Sequence, residues 1–119
     1  MKWIVMMLAG VMAMPLWAQD MQAELAQIQQ RWAQIQYQLP EDDKEKAFEA
    51  LAKEAETFVA DYPGRAEPLI WQGIVLSTYA GAKGGLGALG LVKEARASLE
   101  AALKIAPEAL DGSAYTSLG

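Results

Sequence analysis

Cysteine and histidine are both absent from this 119-residue chain. No disulfide can form, and the commonest metal ligand and the commonest general base are both missing. Positive charge is scarce: 10 Lys and Arg stand against 15 Asp and Glu, a net charge of −5. Such a chain has no electrostatic footprint for nucleic acid, and an anionic membrane surface should repel it. A long hydrophobic run is missing too. The apolar stretch Trp3–Met14 covers about 12 residues, whereas a bilayer core needs roughly 20.

That short run has the layout of a secretory leader. Lys2 gives a positive start, Pro15 breaks the run, and the small residue Ala18 offers a cleavage point. Residues 1–18 are therefore expected to be a signal peptide, with no stable membrane insertion after its removal and a periplasmic destination. No lipid-accepting Cys follows the run, which argues against a lipoprotein. Cleavage leaves roughly 100 residues, one domain with a modest core. Loss of Lys2 makes the remainder more acidic still.

Periodicity divides the rest into helices. Met21, Leu25, Ile28, Trp32, Ile35 and Leu39 are spaced 4, 3, 4, 3, 4, a heptad seam that predicts an amphipathic helix over residues 19–40. The seam could pack on the remainder of the chain as a leading helix, or serve a homo-oligomer as a short coiled coil. Asp42 and Glu45 resemble a capping box that opens a second helix near Asp43. Its apolar face is Ala47, Phe48, Leu51, Ala52, Ala55, Phe58 and Val59, and Tyr62-Pro63-Gly64 closes it.

Residues 66–80, AEPLIWQGIVLSTYA, carry β-branched and aromatic residues that suit a strand. Apolar positions fall on both parities, however, and Pro68 and Glu67 suit a first helical turn, so a helix is expected. Gly73 in its middle costs about 1 kcal/mol relative to Ala, which makes sense if another helix crosses closely there. Gly81–Gly90 has five glycines in ten residues and reads as a loop or a distorted helical excursion. Leu91–Ile105 is the strongest helical segment, with Val92, Ala95, Leu99, Ala102 and Leu103 as its stripe. Beyond Pro107, Asp111-Gly112 marks a turn and Ser113 can cap a further helix.

Chemistry has little to build on. Gly85-Leu86-Gly87-Ala88-Leu89-Gly90 spells G-x-G-x-x-G, but a dinucleotide site needs a strand before it and a second strand after it. Gly81–Gly85 is not followed by Gly-Lys-Ser/Thr and so lacks the Mg²⁺ ligand of a phosphate loop. Glu41, Asp42 and Asp43 are contiguous rather than alternating with spacers, and suit a helix start better than a cation. Ser77, Thr78, Ser98, Ser113, Thr116 and Ser117 have no His or Cys beside them, and a Ser with Lys83 as base is a conceivable but poorly supported pairing. Glu54 and Glu56 point to different helix faces. No enzyme activity, cofactor or metal is expected.

Two segments together resemble a tetratricopeptide repeat. In Leu91–Pro107, Ala95, Leu99, Ala102 and Pro107 follow the small-x3-large-x2-small-x4-Pro spacing of that family's second helix. In Ala66–Ala80, Leu69, Gly73 and Leu76 occupy first-helix positions, while Gln72 stands where the family has Leu. Pro63 and Pro107 are 44 positions apart, ten more than the 34-residue period, and the excess equals Gly81–Gly90. Leu51, Ala55, Phe58 and Pro63 repeat the second-helix spacing with two sizes exchanged. Tyr115, Leu118 and Gly119 look like the start of another unit. A leader, a glycine-rich turn and ALDGSAYTSLG together resemble a group of periplasmic tetratricopeptide proteins of Gram-negative bacteria.

The resemblance implies an all-α, helix-turn-helix solenoid fragment over residues 41–119, its last repeat incomplete, preceded by the heptad helix. A solenoid stopped at Gly119 would expose an apolar face, so a longer protein or a covering partner is expected. The resemblance also implies a non-catalytic scaffold that binds a protein or peptide of the cell envelope. Carried over, the groove positions are Glu67, Ile70, Ile74, Ser77 and Thr78, with Lys83 at the rim. The alternative is a small-solute-binding or transport accessory protein with a ligand cavity near Gly81–Gly90.

Overall fold

The computed structural model describes residues 16–108, and among them there are four helices and no strand. They are α1 (Leu16–Gln38), α2 (Glu41–Asp61), α3 (Ala66–Lys83) and α4 (Gly87–Ile105). The described chain is all-α. Residues 1–15 of the expected leader lie outside the described residues, as does everything expected around Ser113, Tyr115, Leu118 and Gly119. No described helix is long and apolar enough to cross a membrane.

The heptad seam of α1 is buried within the chain itself. Met21, Leu25, Ile28 and Ile35 belong to a core with Phe48, Leu51 and Phe58 of α2 and Val75 and Tyr79 of α3, and Trp32 and Leu39 pack at its margin. Complete burial of each such side chain contributes about 1.5–3 kcal/mol. Trp32 also ties α1 to α3. Its indole N–H donates to Thr78 Oγ1 at 3.1 Å, and its ring meets Trp71 edge to face at 5.9 Å.

The start of α2 differs from the expected capping box. The helix begins at Glu41, Pro40 is its cap residue, and no side chain caps it. Asp42 therefore lies inside the first turn rather than before it. Pro40 is extended, and its carbonyl accepts the Asp43 N–H at 3.0 Å. The three acids Glu41, Asp42 and Asp43 act on the helix dipole instead. Farther along, Phe48, Leu51, Ala55 and Phe58 are buried as the periodicity predicts.

Residues 66–80 are helical despite their β-branched content, and α3 is the hub of the molecule, packing on α1, α2 and α4. Against α4 it places Ala66 and Ile70, which form a second cluster with Leu99 and Ala102. Gly73 marks the close crossing. A Cβ built there would stand 2.6 Å from Leu99 Cγ and 3.3 Å from the Ala95 carbonyl oxygen. Ala95 and Ala102 are small for the same reason: they let α4 lie against α3 while Leu99 fills the space.

The glycine tract does not form a ten-residue loop. α3 runs on to Lys83 and α4 already begins at Gly87, so the turn is only Gly84-Gly85-Leu86. Gly84 and Gly85 have φ of 67° and 65°, the left-handed region that suits glycine. The extra residues lengthen the arms of the hairpin, not its bend. At this tip Leu86 and Leu89 are 88% and 60% exposed, and Val92 is 51% exposed rather than part of the buried stripe. The face buried against α3 is Ala95, Leu99 and Ala102, and Val92, one turn before Ala95 on the same stripe, is left uncovered near the hairpin tip.

Candidate functional site

A groove of about 530 Å³ lies between α2 and α4, with α3 as its floor. Helix spacing produces it: α2 and α4 each pack on α3 and barely touch one another. Small residues on the facing walls, Ala52 and Ala97, keep it open, and Leu76, Tyr79 and Leu91 give it an apolar lining. Its volume falls within the ordinary range of ligand pockets, about 300–1,000 Å³.

Two hydrogen bonds organise the lining. The Tyr79 hydroxyl donates to Glu49 Oε2 at 3.2 Å, linking α3 to α2. Ser98 Oγ donates to Gln72 Oε1 at 2.8 Å, linking α4 to α3. Burial pushes the Tyr79 pKa up, and the hydrogen bond to Glu49 and the charges of Glu49 and Glu45 push it further in the same direction. The walls carry the charged groups Glu49, Lys53 and Glu56 from α2 and Glu94 from α4, all exposed.

The site residues expected from the sequence lie elsewhere, and none of the six lines this groove. Ile70 has no exposed surface; it is core between α3 and α4 and cannot meet a ligand. Ile74 is half-buried against the same cluster. Glu67 sits 3.5 Å from Arg65 in an ion pair. Ser77 Oγ donates to the Gly73 carbonyl at 2.8 Å. Thr78 Oγ1 lies within bonding distance of the Val75 and Ile74 carbonyls while accepting from Trp32. Lys83 is exposed beside the turn, its aliphatic stem over Gly87. The helical spacing does put Glu67, Ile70, Ile74, Ser77 and Thr78 on one flank of α3, but their polar atoms are largely engaged in holding the fold.

Sequence reasoning missed Glu49, Gln72, Tyr79, Glu94 and Ser98. One signal was present. Gln72 departs from the Leu of the repeat pattern, and its amide faces the groove, where Ser98 meets it.

A hollow of about 320 Å³ lies near the base of the hairpin tip, lined by Gln36, Lys44, Thr78, Gly81 and Ala82 among others. Gly85–Gly90 follows a helix, not a strand, so the turn lacks the setting that a dinucleotide fingerprint requires. Among the described residues no group of three or more acidic side chains is placed to hold a metal ion. Comparison with family models, curated proteins and solved structures finds no match for this chain.

Proposed function

We propose that this chain is a non-catalytic, exported protein-binding module whose helical hairpins stack in the manner of tetratricopeptide repeats. The observation that carries the reading is the way the second hairpin joins the first. α3 lies against both α1 and α2, α4 lies against α3, and small residues face a large one where the last two helices cross. Side-by-side stacking of this kind leaves extended grooves between helices, and grooves of that type hold segments of other proteins. The groove between α2 and α4 is the surface best shaped for such a role here. The leader-like residues 1–18 support export to the periplasm, where the partner would be a protein or peptide of the cell envelope.

The test is a peptide-library binding screen with the intact chain, repeated with Ala97→Trp. Ala97 is exposed on the groove wall, so a bulky ring there fills the groove without disturbing the core. Peptides should bind the native chain and be lost with Ala97→Trp. Binding that survives the substitution would place the docking surface elsewhere, and a complete absence of binding would overturn the reading.

A second reading, a small-solute carrier or transport accessory, is favoured by the hollow at Gly81 and Ala82. A carrier is stabilised by its ligand through mass action. A metabolite screen read by thermal shift should then raise Tm with one solute class, and an unchanged Tm throughout would remove this reading.

A further inference from the structure

The walls of the groove are not electrically neutral. Glu49 and Glu56 stand on α2 two helical turns apart, with Lys53 between them, and Glu94 faces them from α4. None of the three carboxylates takes part in an ion pair among the described residues. Glu49 accepts the Tyr79 hydroxyl. Glu56 and Glu94 have no hydrogen-bond partner there, so each wall of the open channel carries a carboxylate not engaged in holding the fold. At the floor the Tyr79 pKa is raised, first by burial and then by its hydrogen bond to Glu49 and the charges of Glu49 and Glu45. The whole chain, at −5, steers cations rather than anions toward this surface.

The lining below the charges is apolar. Leu76, Leu91, Ala52 and Ala97 offer aliphatic surface beneath the carboxylates. Lys and Arg match that profile: the methylene stem lies on apolar surface and the cation reaches outward. Seven residues of helix separate Glu49 from Glu56, about 10 Å. In an extended peptide alternate side chains fall on one side, about 7 Å apart, and two flexible basic stems so placed fan outward to reach both wall carboxylates.

We propose that the groove between α2 and α4 docks an extended segment of a partner protein bearing alternate lysine or arginine residues, with the cations addressed to Glu49 and Glu56, on either side of Lys53 on one wall, and to Glu94 on the other. This rests on the protein-binding reading above and names the chemistry of the partner.

The test uses the intact chain and three fluorescein-labelled peptides on one scaffold, alternating Ala with Lys, Gln or Glu, read by fluorescence polarisation. The Lys peptide should bind about tenfold or more tightly than the Gln peptide, weaken as salt is raised, and leave the Glu peptide unbound. The double variant Glu56→Gln/Glu94→Gln should lose about tenfold in affinity for the Lys peptide with an unchanged Tm, because both side chains are exposed and unpartnered. The control Asp42→Asn/Asp43→Asn removes as much charge outside the groove and should leave affinity within about twofold.

An equal loss in the control would mean attraction to the acidic surface at large and would overturn the proposal. So would equal binding of the Lys and Gln peptides, although peptide binding itself would then stand. If no peptide of any charge binds, the protein-binding reading fails as well.

Discussion

Gly73 and Leu99 are the pair on which the second hairpin depends. Leu99 is 2% exposed and occupies the space that a side chain at 73 would need. Gly73→Ala should destabilise the protein by about 1–3 kcal/mol through overpacking, and Leu99→Ala by about 2–5 kcal/mol through a cavity. The two effects should not add. With Leu99 truncated the new methyl loses its severe clash and keeps only the 3.3 Å approach to the Ala95 carbonyl, so the double variant should be more stable than the sum of the single losses allows. Denaturant unfolding of the three variants measures this coupling, and strict additivity would show that the two residues do not share the space.

Tyr79 governs a pH dependence at the same scale. Its folded-state pKa lies above the ordinary value of 10.0, chiefly through burial. The neutral hydroxyl is thus favoured by the fold. Its contribution is fully present below about pH 10 and is lost as pH rises through the raised folded value. Thermal unfolding followed from neutral to strongly alkaline pH should show falling stability in that upper range, and Tyr79→Phe should flatten the fall. An identical slope in both proteins would remove Tyr79 as its source. Nothing in the sequence flagged this residue for such a role, because only the approach of α2 puts Glu49 within reach of its hydroxyl.

At the scale of elements, periodic segments were legible and the glycine tract was not. Helices α1, α2 and α4 announce themselves through spaced apolar residues, and α3 through apolar residues on both parities. The ends were harder to read. Asp42 and Glu45 carry the spacing of a capping box, yet Pro40 takes the cap position and draws both acids into the helix. Five glycines in ten residues argue for a loop on propensity alone. Of these five, only Gly84 and Gly85 have positive φ. Gly81 and Gly90 stand on helical arms with open space where a Cβ would go.

This distinction predicts opposite outcomes from one type of substitution. Gly90→Ala and Gly81→Ala should each stabilise by about 0.5–1 kcal/mol, because Ala favours the helix both residues already adopt. Gly84→Ala should destabilise by about 1–3 kcal/mol, because a Cβ strains a backbone with φ of 67° and ψ of −179°, a region essentially confined to glycine. Calorimetric Tm values decide the matter. A rise for all three would mean that the turn does not need its glycines.

For the whole molecule, the all-α architecture follows from the periodicity of the segments, and Gly73 pointed to the close crossing of a second helix on 66–80. The groove does not. It depends on how far apart two helices stand when each leans on a third, and no single-segment pattern encodes that distance. The heptad seam illustrates the same difficulty, since its spacing fits a partner copy as well as the chain's own helices. Its residues are consumed by the internal core. Trp32→Asp should therefore lower Tm by breaking the contacts with Thr78 and Trp71, while sedimentation shows an unchanged oligomeric state. A change of state would mean that the seam also serves association.

The missing side chain at position 73 has one more effect, on a trough that it does not itself line. Gly73 is turned toward α4, and the trough opens on the neighbouring flank of α3. Any bulk gained at 73 would press α4 outward and part it from α2, carrying Glu94 and Ala97 with it. The spacing of the trough's banks is thus set from behind, by one absent methyl that no docked molecule would ever touch.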